Sequence, residues 1–408
     1  MGSLMGSLMG SLMTNERLKG FIDSRHCTLL GVGPMSKNCV DAAIELSNDY
    51  EIPLILIASR RQIEAECFGG GYVNNWSTES FAKYVIEHDL KGKIILARDH
   101  GGPWQNTFEK EKKLSLREAM ESAKKSFQID IESGFEIIHI DVSVDIFNDL
   151  CVDETLSRIF ELYEFCWSIA RQNKRRIMFE IGSEECNSNC NGNVHNRFDM
   201  FDIEYVISKT IDFCNENNLP IPSFVVIQIG TKVLETKNIG IFDNSIYDQD
   251  KLSAEIEMYK MLEMCSKYDV LLKQHNTDYL SDEALVRYPK LGIHSANVAP
   301  EFGVAETRAF IEILEKYNLN DLIEKFIHIS YESKKWEKWM LPNSEAGIME
   351  KAVIAGHYVF SDPEFVKIKS YAITELQKYN IDLNEYLKAQ IKKSIMRYLK
   401  NFRLVGKS

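Results

Sequence analysis

The segment IILARDHGGPW, residues 94–104, passes from a β-branched apolar run into an acid, an imidazole and two glycines. A carboxylate and an imidazole side by side at the end of such a run can hold a divalent cation or move a proton. Comparable transitions recur along the chain: Asp141 closes IIHID, Glu180 and Glu184 lie in EIGSEE, Gln228 follows VVI, His275 ends LLKQH, and His294 and Asn297 lie in GIHSAN. Carboxylates, imidazoles and amide oxygens are hard or borderline ligands suited to Mg²⁺, Mn²⁺ or Zn²⁺. A single polar residue at a strand end usually caps a loop, but a series of them demands a fold that gathers strand ends.

The rest of the pattern supplies one. Short β-rich runs occupy residues 28–31, 53–59, 93–98, 136–141, 177–182, 223–230, 269–275 and 290–294, and most are continuously apolar, as expected of parallel strands covered on both faces. Segments of helical period lie between them, among them 116–131, 153–172, 204–217 and 251–268. Caps are expected at Ser77-Thr78, at Ser115 with Glu118, and at Asp282. Eight strand–helix alternations predict an α/β chain folded as a (β/α)8 TIM barrel. A doubly wound open sheet is the competing architecture, but no GxGxxG follows the first strand. The carboxyl ends of the eight barrel strands converge on one mouth, which would bring the polar residues together. The expected organisation is a barrel over 15–318 and a C-terminal helical extension over 319–408, with helices near 348–357, 364–378 and 387–402, that caps the barrel or forms an oligomer surface. Residues 1–14 carry a thrice-repeated MGSL tetrapeptide, read as a start-site duplication outside the fold.

Composition narrows the function. The chain has 408 residues, 45% of them apolar, a net charge of −12 and a pI near 5.4, with no basic block. Nucleic acid and membrane surfaces are therefore not expected partners. No apolar run approaches the ~20 residues of a membrane helix, and the expected location is cytoplasmic. Nine scattered cysteines without a CxxC pair read as reduced thiols. Cys186 and Cys190 lack the second pair that a structural zinc site needs.

The stretches IASRRQIEAECFGGGYVN (57–74), IILARDHGGPW, IHIDVS (138–143), EIGSEE, VVIQIGT (225–231), KQHNTDYL (273–280) and GHYVFSDPEF (356–365) resemble, in order, the motifs of the class II tagatose-1,6-bisphosphate aldolase subunit family of GatZ/KbaZ type. The resemblance spans about residues 25–370. It implies a class II aldolase-like fold, with relatives that include subunits described as non-catalytic and ketose-phosphate 4-epimerase-like members. It further implies a divalent metal near His100 and His275, with Glu184 and Gln228 as additional ligands, and an acid/base role for Asp99. The chain departs from the family at Arg60-Arg61, which add positive charge after the second strand, and at ECNSNCNGNV after Glu184.

The expected chemistry is aldolase-type. Cleaving a carbon–carbon bond beside a carbonyl needs a sink for the enolate charge, which a metal can supply, and a base for the departing hydroxyl proton. No lysine stands at an expected strand end, which disfavours a Schiff-base route. Asp99 is the candidate base on the C4 hydroxyl, with Asp141 or Glu180 on the opposite face. Arg60, Arg61, Gln62, Asn276, Asp278 and Asn297 are the candidate substrate-binding residues, for a sugar phosphate or sugar acid, and the two arginines are either an anion clamp or a solvated helix start. Retro-aldol cleavage and C4 epimerisation both follow from this set. The alternative is a non-catalytic subunit that stabilises a separate aldolase; a homo-oligomer is the other expected assembly.

Overall fold

The computed structural model describes residues 14–182, 200–243 and 249–406. The N-terminal repeat, Glu184, Cys186 and Cys190 lie outside the described residues. The seven described cysteines are free thiols.

After α1 (Asn15–Arg25), strands and helices alternate: β1 (Leu29–Val32), α2 (Lys37–Tyr50), β2 (Leu54–Ser59), α3 (Thr78–His88), β3 (Ile94–Gly101), α4 (Leu116–Ser133), β4 (Ile137–Asp141), α5 (Val152–Gln172), β5 (Met178–Gly182), α6 (Met200–Glu216), β6 (Phe224–Ile227), α7 (Gln249–Lys267), β7 (Leu271–Gln274) and β8 (Ser295–Val298). All eight strands pair in parallel and close into a barrel, β1 joining both β2 and β8. This is the (β/α)8 TIM barrel. The strands are apolar on both faces because one face fills the barrel and the other meets the helices. Capping chemistry sets several helix starts: Ser77 and Ser115 each close a capping box, with Ser80 and Glu118.

Two local expectations are corrected. The eighth strand is residues 295–298, not 290–294. Arg287–Leu291 instead forms a helical turn that ends at Gly292, whose positive φ of 87° lets its N–H return to the Tyr288 carbonyl. A separate turn, Asp282–Leu285, precedes it, and its cap is Ser281, whose hydroxyl accepts from the Ala284 N–H, and not Asp282.

Beyond the barrel run α8 (Pro300–Lys316), α9 (Asn320–Glu332), α10 (Ile348–Ala355), α11 (Pro363–Gln377) and α12 (Leu383–Asn401). A second apolar core joins α8, α9, α11 and the start of α12, around Phe310, Phe326 and Phe365. The far half of α12 returns to the barrel, where Ile391, Ile395 and Tyr398 join its main core and the Phe402 carbonyl accepts from the Thr28 N–H. The extension also touches the loops at the carboxyl ends of the strands: the Ser361 hydroxyl donates to the Tyr72 carbonyl, and the Glu235 N–H donates to the Trp339 carbonyl. No described helix is long and apolar enough to cross a membrane.

Candidate active site

The Asp-His-Gly-Gly turn positions the centre of the mouth. Asp99 is in register with Ser59 of β2, and between Arg98 and Gly101 the pairing with β4 shifts in a bulge. Within the bulge His100 adopts a positive φ of 45°, which turns its ring towards Asp141. Such strain is retained where the surrounding structure over-determines it. Gly102 lies so close to β4 that a Cβ there would meet the Asp141 carbonyl oxygen at 2.0 Å. Arg98 faces outward and anchors the strand, with its guanidinium paired to Asp130 of α4 and donating to the Ala58 and Ile63 carbonyls.

Asp99, His100 and His275 each present a ligand atom within 4.8 Å of the others. Asp99 Oδ1 lies 3.5 Å from His275 Nε2 and 3.6 Å from His139 Nδ1, and Oδ2 lies 3.8 Å from His100 Nε2. Burial pushes the Asp99 carboxyl up, but His100, His275 and His139 outweigh it and hold the group well below the usual carboxylate range. The resulting carboxylate is buried, and Oδ1 has no hydrogen-bond partner among the described residues. Two imidazoles beside an ionised carboxylate with one unengaged oxygen fit a divalent cation by donor type.

A second ring of contacts holds these groups in place. His100 Nδ1 lies 2.8 Å from Asp141 Oδ2, which also accepts from Gln105 Nε2 at 2.7 Å. The other Asp141 oxygen accepts from the Ser143 N–H and hydroxyl. His100 and its neighbours outweigh the burial of Asp141 and keep it ionised. With the first nitrogen of His100 fixed by a carboxylate, Nε2 is left to face Asp99. His275 Nε2 lies 2.7 Å from the Asn297 amide.

Several expected residues are placed elsewhere. Glu180 is buried inside the barrel in an ion pair with Lys273, so it is not a free base facing the substrate. Gln228 is exposed, its amide donating to the Thr231 carbonyl and accepting from Asn276, so neither of these two amides points unengaged at the cluster. Arg60 is not at a solvated helix start: its side chain is 1% exposed, with Nε 2.7 Å from Glu64 and Nη1 2.7 Å from Glu109. Arg61 differs, being half-buried beside Tyr72 with no ion pair or hydrogen bond from its guanidinium among the described residues. The Gln62 amide oxygen accepts from the Ser59 N–H and hydroxyl. Asp278 caps α8, accepting from the Ala299 and Glu301 N–H groups, and burial together with Glu301 pushes its carboxyl up to about 7. His294 lies at the start of β8 and not at its end, with Nδ1 accepting from the Leu272 N–H at 3.0 Å.

Three residues escaped sequence reasoning. His139 is fully buried on β4, two residues before Asp141, and its ring centroid is 6.0 Å from that of His100 and 6.2 Å from that of His275. The period-2 rule carries its signal, because alternate residues of IHID share the barrel face. Gln105 had no signal, since it reaches Asp141 from a loop. Lys273 was hidden in an apolar run, although it alternates with His275 and so points into the barrel.

A family model described as D-tagatose-1,6-bisphosphate aldolase subunit GatZ/KbaZ-like matches residues 22–363. The chain belongs to this family. No curated protein sequence matches it. Among solved structures, a probable tagatose 6 phosphate kinase from Sinorhizobium meliloti is similar at 16% identity and a TM-score of 0.69, over 91% of this chain and 99% of that one. A fructuronate-tagaturonate epimerase from Cohnella laeviribosi aligns at 11% identity and a TM-score of 0.56, over 94% of this chain and 86% of that one. A fructose-bisphosphate aldolase from Campylobacter jejuni aligns at 11% identity and a TM-score of 0.54, over 97% and 96%. At these identities the likeness is one of fold, and it places the GatZ/KbaZ-like chain on an aldolase-type barrel.

Proposed function

We propose that this GatZ/KbaZ-like chain is a divalent-metal-dependent enzyme acting on a ketose phosphate or related anionic sugar, by retro-aldol cleavage or C4 epimerisation. The observation that carries the proposal is the buried, ionised Asp99 carboxylate, with one oxygen unengaged, between His100 and His275. His100 and His275 would hold the cation, with Asp99 beside it. A divalent ion bound there supplies Lewis-acid polarisation of the ketose carbonyl. Asp99 takes the proton from the C4 hydroxyl; the C4–O electrons form the new carbonyl, the C3–C4 bond breaks, and its electron pair moves onto the C2 carbonyl oxygen. Cleavage results if the aldehyde leaves, and epimerisation results if it turns its other face and re-adds. Asp141 orients the His100 imidazole through its other nitrogen, and Asn297 lies against the His275 nitrogen that faces Asp99. Arg61, the arginine with its guanidinium unspent, is the proposed clamp for the anionic end of the sugar.

The word "subunit" in the family's description favours a second reading, support of a separate aldolase. Purified chain alone is assayed against ketose phosphates and sugar acids, with and without divalent metal. Chelator-sensitive turnover is the expected result; silence with stimulation of an added aldolase favours the second reading. In Asp99→Asn, which keeps shape but cannot accept the proton, metal content should persist while turnover falls ~10²-fold or more. Near-normal turnover with full metal would remove Asp99 from the mechanism.

A further inference from the structure

A pocket lies apart from the Asp99 cluster, between the loops after β1 and β2 and the C-terminal extension. Its wall includes the first turn of α2, Tyr72, Glu306 of α8, His357 and Lys369 of α11. The hydrogen-bonding groups around it divide into spent and unspent. Glu306 accepts from the Ser36 hydroxyl and from Asn38 Nδ2, and Lys37 is paired with Asp41. Lys369 is half-buried, and its ammonium makes no ion pair or hydrogen bond among the described residues. His357 is 1% exposed, lines the pocket, and has neither ring nitrogen hydrogen-bonded among the described residues. Gly303 of α8 makes room for that ring, since a Cβ there would lie 2.6 Å from His357 Cγ. The Lys37 and Asn38 amides open a helix of 14 residues and have no acceptor within it. The unspent groups are thus an ammonium, an imidazole and a helix N-terminus, which together suit an acceptor-only, negatively charged group.

We propose that this pocket is a binding site for a small oxyanion of the phosphate class, gripped by Lys369, His357 and the α2 N-terminus. Glu306, whose carboxylate accepts from Ser36 and Asn38 and is stabilised by the charge of Lys369, competes with the anion for that ammonium and sets the selectivity. The pocket does not include the Asp99 cluster, and its ion is either free phosphate or the phosphate of a sugar phosphate.

Calorimetric titration of the full, chelator-treated chain with inorganic phosphate tests the proposal. Lys369→Met should weaken binding at least ~10-fold, the typical worth of a charge-assisted hydrogen bond. Glu306→Gln should tighten it, and Arg61→Gln should leave the Lys369-dependent isotherm in place. His357→Gln serves as a second variant should Lys369→Met melt early, and it should also weaken binding. Titrating a ketohexose 6-phosphate into phosphate-saturated Arg61→Gln protein, which lacks the proposed clamp at the mouth, separates the sources: competition assigns the pocket to the sugar's own phosphate, and the absence of competition to the free ion. Phosphate affinity indifferent to Lys369, weakened by Glu306→Gln, or abolished by Arg61→Gln would overturn the assignment.

Discussion

Arg60 and Arg61 are adjacent, yet the structure gives them opposite work, and replacing Arg60 tests that division. Its guanidinium reaches Glu64 and Glu109 at 2.7 Å each, the Gly102 carbonyl at 2.9 Å and the Ser122 hydroxyl at 3.2 Å. The two carboxylates are 0% and 2% exposed. Removing one partner of a buried pair leaves an uncompensated charge, at a cost of ~3–5 kcal/mol. Glu64 retains hydrogen bonds from the Ala65 N–H, Ser126 and Asn106, whereas Glu109 retains Ser122 alone and its other oxygen has no partner among the described residues. Most of the loss should therefore fall on Glu109. Arg60→Met is expected to lower the unfolding free energy by ~3–5 kcal/mol, and adding Glu109→Gln should recover at least ~1 kcal/mol by neutralising the stranded charge. Urea unfolding followed by circular dichroism reads both, provided the slope of the transition is unchanged. A loss under ~1 kcal/mol, with weakened binding of an anionic substrate, would refute the structural role and return Arg60 to the mouth.

Arg61→Gln should leave the urea midpoint unchanged and raise KM for a phosphorylated or carboxylated substrate ~10-fold or more, with little effect on a neutral analogue; initial-rate kinetics on both substrates check it. Lys273→Met and Glu180→Gln should each destabilise the barrel by ~3–5 kcal/mol, while the double replacement costs clearly less than their sum. Strict additivity in urea unfolding would show that the pair is not coupled. Asp278 has its folded pKa pushed up to about 7, first by burial and then by Glu301, from an ordinary value near 3.8. The stability it contributes is full below about pH 4 and is lost as the pH rises through 7, because the unfolded chain ionises first. Asp278→Asn should flatten that decline in a pH series of thermal melts, and an unchanged profile would place the titration elsewhere.

The membership in the GatZ/KbaZ-like family and the barrel were legible in the chain because their signals are local and repeated. Continuous apolar runs, serine caps and helical periods mark a parallel sheet wrapped by helices, and strand ends then mark the mouth. Asp99, His100 and His275 were legible for that reason, and His139 was available to the same period-2 logic. Less legible was any position where two conformations share one composition: KLGIH reads as a strand, but Gly292 ends a helical turn there and β8 begins afterwards.

What sequence alone determined is which residues stand at strand ends, since periodicity and register are properties of neighbours along the chain. Which of them are spent is decided by partners far away along it. Lys273 neutralises Glu180, Glu109 and Glu64 claim Arg60, the first turn of α8 claims Asp278, and Asp141 claims His100. A charge buried by folding must be paired or hydrogen-bonded, so packing assigns structural duty to some polar residues. Asp99 and Arg61 keep groups unspent, and no reading of adjacent letters could have told Arg61 from Arg60.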